Sequence, residues 1–74
     1  MSIQAVPTSA ADIRERLNLL YLERAYAEGE GLIANAVYAA DLEGEIAATS
    51  SAYVGMAVTE IAVLRGQLSG PLQG

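Results

Sequence analysis

Apolar residues recur at helical spacing through the first part of the chain, where they form two separate stripes. A helix from about residue 10 to 28 would carry these stripes on different sides of its surface. Ser9 is a typical residue to precede such a helix, because its hydroxyl can accept a hydrogen bond from the backbone N–H of Asp12. The two stripes consist of Ile13, Leu17 and Leu20, and of Leu19, Leu22 and Tyr26.

The helical pattern stops at two closely spaced glycines, Gly29 and Gly31. Each glycine costs a helix roughly 1 kcal/mol relative to alanine, and either can adopt the left-handed conformation that ends many helices. We therefore predict a turn at 29–31. Residues 1–8 lack helical periodicity and contain Pro7, so they are predicted to form an N-terminal arm.

After the turn, apolar and small residues repeat in steps of four and three residues. This spacing is the heptad seam of a helix that packs lengthwise against another helix. It predicts a long helix over about residues 32–66, followed by a C-terminal tail at 67–74 with further helix-stopping residues. Because such a helix would be about 50 Å long, a break at Gly44 or at 49–51 is the alternative. The predicted seam consists of Ile33, Val37, Ala40, Gly44, Ala47, Ser51, Val54, Val58 and Ile61, and continues to Arg65 and Leu68.

The middle of the seam, from Ala40 to Ser51, is formed by small side chains. Small side chains allow two helix backbones to approach closely, whereas a simple kink at Gly44 is the alternative explanation. Most positions away from the seam are apolar as well, and a helix that is apolar all round is normally buried. One hairpin covers only one side of such a helix. We therefore expect an exposed, acidic N-terminal half and a C-terminal half that other subunits, a larger partner or lipid would bury.

Glu60 is the only acidic residue beyond position 45. An unpaired carboxylate in apolar surroundings is costly, so this side chain should be paired, exposed to water or protonated. One prediction is that Glu60 points to water. The other is that it belongs to the interface and pairs with an arginine of another helix or subunit.

Length and composition favour association. The chain has 74 residues, 53% of them hydrophobic, and it contains neither Cys nor His. Small scaffolds of this size usually need disulfides, a metal or oligomerisation. Without Cys the chain cannot form disulfides, and without Cys or His it lacks the usual ligands of a structural metal. The predicted fold class is all-α, a helical hairpin over 9–66 that packs into a multi-subunit helical assembly.

The charge and the residue types of the chain argue against two classes of function, nucleic-acid binding and catalysis. The net charge is −5 and the four basic residues are all arginines, so the chain lacks the basic face that nucleic-acid binding requires. Without His, Cys or Lys, the usual catalytic bases and nucleophiles are missing. Acidic neighbours such as Asp41 and Glu45 are typical of a solvated helix surface. We predict no enzyme activity and no catalytic, cofactor or metal site.

The predicted function is that of a non-enzymatic structural subunit that self-associates through its helices into a homo-oligomer or a larger symmetric assembly. One alternative is a small accessory or regulatory subunit that docks on a different protein. Another is a membrane-embedded hairpin, because residues 46–64 carry a single charge and are long enough to span a bilayer. Three features disfavour insertion into a membrane: Glu60, the polar run at 49–51 and the lack of Trp anchors. We see no secretory signal and expect a cytoplasmic protein or part of a soluble assembly.

Overall fold

A computed structural model of the protein describes residues 9–69. It contains helix α1 (Ala10–Gly29), a short 3-10 helix (Leu32–Ala34) and helix α2 (Ala36–Ser69). The two long helices pack against each other, and no strand occurs within residues 9–69. The all-α helical hairpin is therefore confirmed. The predicted arm at 1–8 and the part of the predicted tail at 70–74 lie outside the described residues.

Helix α1 begins and ends as its sequence predicts. The side-chain oxygen of Ser9 accepts a hydrogen bond from the backbone N–H of Asp12 at 3.1 Å, which satisfies one of the free amides of the first turn. At the other end the chain leaves the helix at Glu30, and Gly31 adopts the left-handed conformation with φ 77°. A glycine is suited to this position because a Cβ atom would make the conformation strained.

Helix α2 begins four residues later than the prediction of a start at 32. Residues 32–34 form the 3-10 helix, and Asn35 then caps α2 by accepting a hydrogen bond from the backbone N–H of Tyr38 at 2.9 Å. Asn35 has an extended backbone, with φ −79° and ψ 108°, which separates the two helical segments. Asn is among the residues most favoured at this capping position, so the sequence did contain a signal for the true start.

From Asn35 onward the second helix is continuous. Helix α2 passes through Gly44 and 49–51 without a break and extends beyond the predicted end at 66 to Ser69. Its 34 residues correspond to about 51 Å, whereas the 20 residues of α1 correspond to about 30 Å. The hairpin therefore has one arm that is much longer than the other.

The core between the helices is small. Leu17 and Leu20 of α1 pack with Leu42 and Ile46 of α2. Ile33 and Tyr38 are partly buried against this cluster. Such a core lies where α1 and the first half of α2 run side by side, so the second half of α2 contributes little to it.

Candidate interaction surface

Helix α2 has two apolar faces, and α1 covers one of them. The inner face consists of Leu42, Ile46 and Thr49, which are buried. Since each residue advances about 100° around a helix, Gly44 lies about 200° away from Leu42, on the side of α2 that faces away from α1. The heptad seam is therefore not the surface on which the hairpin closes. As an interface between chains it stays a prediction.

The part of the seam that lies on α2 forms a stripe along its far side, which we call the outer stripe. All eight of its residues are exposed, with Val37 at 73% and Val58 at 61% of their full accessible area. None of them is charged, although the chain around them is acidic. Ile33 precedes α2 and packs against the core of the hairpin instead. The outer stripe consists of Val37, Ala40, Gly44, Ala47, Ser51, Val54, Val58 and Ile61.

The outer stripe has no close neighbours along its small-residue half. Among residues 9–69, a Cβ atom added to Gly44 would find no atom within 4 Å, apart from its own helical surroundings. The close helix approach that the sequence predicts at Gly44 thus does not occur within the hairpin. Glycine has no packing role here inside a single chain, although it lowers the stability of the helix by about 1 kcal/mol relative to alanine.

Helix α1 also carries an exposed apolar stripe on its far side. Leu19, Leu22 and Tyr26 form the second stripe that the sequence predicts, and each is at least 60% exposed. The hairpin is therefore a two-helix layer with apolar residues between the helices and along both outer edges. A layer of this kind leaves apolar surface on opposite sides of the molecule.

Glu60 joins the two helices at the free end of the hairpin. Its carboxylate accepts a hydrogen bond at 2.9 Å from the backbone N–H of Ala10, the first residue of α1. A negative charge at this place is favourable because the N-terminal end of a helix carries partial positive charge. Glu60 itself remains exposed within the hairpin, and its place in an interface with another subunit stays a prediction. Its partner inside the chain is a helix terminus and not an arginine.

Two arginines of α1 form ion pairs with acids of α2 instead. Among residues 9–69 these pairs join Arg16 to Glu45 and Arg24 to Glu43, and all four side chains keep substantial exposure. Exposed pairs of this kind contribute little stability, about 0–1 kcal/mol each. They link the two helices along the rim of the core.

Tyr38 adds a further link between the helices. Its hydroxyl donates a hydrogen bond at 2.6 Å to the carboxylate of Glu23 on α1. This hydrogen bond, with smaller contributions from desolvation and the Glu23 charge, raises the pKa of the Tyr38 hydroxyl above its ordinary value of 10.0. The sequence did not reveal this contact, since the two residues are in different helices.

Beyond Glu60, α2 has no part of α1 beside it. We call residues 61–69 the overhang; its nine residues extend about 13 Å past the start of α1. All nine are exposed, and Arg65 is the only charged residue among them. Among residues 9–69, α1 does not cover this segment, so burial of the C-terminal half by other subunits, a larger partner or lipid stays a prediction.

A shallow pocket of about 300 Å³ lies between the helices. It is lined by Ile13, Arg16, Ala48, Thr49 and Ala52, so its surface is mostly apolar. The guanidinium of Arg16 is already paired with Glu45. Within residues 9–69 no group of three acidic side chains is placed to hold a metal ion.

Helix α2 also meets the length and composition criteria for a membrane-spanning helix, and only 11% of its most apolar stretch is buried within the chain. Core helices of soluble proteins meet the same criteria, so this result by itself is weak evidence for a membrane. Comparison of the chain with protein-family models, curated proteins and solved structures gives no match.

Proposed function

We propose that this protein is a non-enzymatic structural subunit that self-associates through the outer stripe of α2 into a homo-oligomer or a larger symmetric assembly. The observation that carries the proposal is an exposed stripe without charge along the side of α2 that α1 leaves open. From Val37 to Ile61 this stripe is about 36 Å long. Continuous apolar surfaces of this extent on a small protein commonly mark sites of association.

The small size of the core within the hairpin supports the same proposal. A single core in a chain of this size rarely contributes more than about 3–5 kcal/mol, and here the core cluster has only four buried residues. Burial of the outer stripe in a second molecule would enlarge the core without any new chemistry. The apolar stripe on the far side of α1 would allow further subunits to add.

The test compares the same substitution at two exposed valines of α2, one inside the outer stripe and one outside it. Val58 lies in the outer stripe and Val63 lies outside it, with exposed fractions of 61% and 55%. An aspartate at position 58 would put a charge into the association surface, whereas an aspartate at position 63 would stay in water. We expect light scattering after size exclusion to show an oligomer for the parent and for Val63→Asp, and a shift towards the 7.7 kDa monomer for Val58→Asp.

A folded parent chain that stays at 7.7 kDa at micromolar concentration would overturn the proposal. A chain that is insoluble alone and folds only with another protein would favour the accessory-subunit alternative. Equal loss of association in both variants would show that the surface is not the outer stripe.

A membrane-embedded helix is the second candidate, because α2 is long and apolar enough to span a bilayer. In that case both aspartate variants would weaken binding to neutral lipid vesicles, since lipid would surround every face of α2 that α1 leaves open, including both valines. Self-association through one stripe predicts an effect of Val58→Asp alone. The same pair of variants thus separates the two functions.

A further inference from the structure

The outer stripe of α2 is unequal along its length. After Val37, its first half carries small residues and its second half carries larger ones. The change occurs between Ser51 and Val54, close to the middle of α2. The small half is Ala40, Gly44, Ala47 and Ser51, and the larger half is Val54, Val58, Ile61 and then Arg65.

This inequality distinguishes the two ways in which a pair of α2 helices can pack. In a parallel pair each residue meets its own copy, so Gly44 would face Gly44 and Ile61 would face Ile61. The helices would have to be close at one end and far apart at the other to avoid voids. In an antiparallel pair the small half of one helix meets the larger half of the other, which keeps the separation even.

We propose that two copies of this chain pack their α2 helices antiparallel, about a two-fold axis near residues 52–53. This proposal rests on the proposed self-association and adds its geometry. In this register Ser51 faces Val54, Ala47 faces Val58 and Gly44 faces Ile61 of the second copy. Each of these three layers combines one small and one larger side chain, which keeps the separation of the helices even, and the end layer joins Val37 to Leu68. The α1 helices lie on the outside, because each occupies the opposite face of its own α2.

Charge supports the antiparallel direction. Arg65 continues the stripe, and neither it nor Asp41 takes part in an ion pair within residues 9–69. The antiparallel register places Arg65 opposite Ala40 of the second copy and beside its Asp41, so opposite charges meet. A parallel pair would place the two Arg65 side chains against each other.

The overhang supports the same direction. In the antiparallel pair residues 61–69 of each copy lie along residues 36–44 of the other, so the segment that α1 leaves uncovered gains a neighbour. The contact would extend from Val37 to Leu68, about 47 Å along the helix. Antiparallel helices also place their dipoles in a favourable orientation.

Disulfide cross-linking of full-length variants tests the register, since the natural chain has no cysteine. Ala47→Cys and Val58→Cys are prepared separately, then oxidised alone and as a mixture. The antiparallel register places position 47 opposite position 58, so the mixture should form a mixed disulfide dimer that intact mass identifies. Each variant alone should not cross-link, because its two cysteines would be about 16 Å apart along the helix, beyond the roughly 7 Å Cα separation that a disulfide tolerates.

Parallel pairing predicts the reverse result, with a dimer from each variant alone and no mixed product. That outcome would overturn the antiparallel register and leave self-association in place. Val63→Cys is the control and should form no dimer, alone or with Ala47→Cys. An oligomer in light scattering with no cross-link in any sample would overturn the proposed use of the stripe. The absence of any oligomer would instead overturn the proposed function.

Discussion

The two apolar faces of α2 differ in their surroundings: one packs against α1 and the other is exposed. The inner face carries Leu42 and Ile46, and its edges are bordered by hydrogen bonds and ion pairs to α1, such as the contact of Arg16 with Glu45. The outer stripe carries small residues from Ala40 to Ser51 and no charge, and nothing within the hairpin covers it. A face that is completed inside the chain thus differs from an open one in side-chain size and in polar contacts along its edges, although both have the same helical spacing.

The two faces also differ in how far they extend along α2. The inner face buries large side chains over the first half of α2 only, whereas the outer stripe continues past Glu60 towards the overhang. Glycines are tolerated in α2 although they weaken a helix. A surface that is kept uncharged, at some cost in helix stability, is consistent with a role in contacts between molecules.

Replacement of a core residue of the inner face should have the largest effect. Leu42 is 3% exposed, and Leu42→Ala would remove its contacts with α1 and leave a cavity. Buried Leu→Ala substitutions typically cost about 2–5 kcal/mol, which is a large part of the stability of a domain this small. Thermal unfolding followed by circular dichroism should show a strongly lowered Tm at every chain concentration.

Leu64→Ala is the matched control on α2, since Leu64 is 53% exposed and lies outside the outer stripe. Its effect should stay within about 0.5 kcal/mol if that side faces water. A Leu42→Ala variant that melts like the parent would mean that α1 does not pack on the inner face in solution.

A leucine in place of Gly44 should have an effect whose sign depends on the outer stripe. In a lone hairpin the position is open, and leucine would stabilise the helix because its helix propensity exceeds that of glycine by up to about 1 kcal/mol. If the stripe is packed against Ile61 of a second copy, the larger side chain would overfill the contact and cost about 1–3 kcal/mol. We expect a lower Tm for Gly44→Leu.

Gly66→Leu provides the comparison for that variant. Gly66 is equally open among the residues that the structure describes but lies outside the stripe, so leucine should raise the Tm slightly or leave it unchanged. An increase for both variants would show that the outer stripe faces water, and would contradict close packing at Gly44.

The sequence was sufficient to predict both helices and the turn between them. Their ends depend on local contacts, such as the hydrogen bond from Asp12 to Ser9 and the left-handed backbone of Gly31. The face of α2 that meets α1 was not predicted, because two stripes with the same steps of four and three compete for that role. The structure selects the one with the bulkier Leu42 and Ile46, which fill the space between two helices better than alanine and glycine do.

The partner of Glu60 was beyond prediction for a different reason. The contact joins a side chain of α2 to a backbone N–H that lies 50 residues earlier, and no pattern of residue types indicates which helix end a carboxylate will reach. An arginine was the expected partner because its charge is visible in the sequence. The positive end of a helix dipole becomes visible only when the alignment of the two helices is known.

Removal of the Glu60 carboxylate should have the smallest effect of the three substitutions. Glu60→Ala would leave the backbone N–H of Ala10 without its acceptor, at a cost of roughly 0.3–1 kcal/mol for an exposed charge at a helix N-terminus. Glu60→Gln should lose less, because the amide oxygen can still accept the hydrogen bond. Added salt should reduce the difference between the parent and Glu60→Gln, since salt screens the charge.

A loss of about 3–5 kcal/mol in the free energy of unfolding of Glu60→Ala would instead indicate a buried ion pair with an arginine of another subunit. In that case one of Arg14→Gln, Arg16→Gln, Arg24→Gln and Arg65→Gln would reproduce the loss, whereas pairing with the end of α1 predicts that the Glu60 effect is unchanged in all four variants.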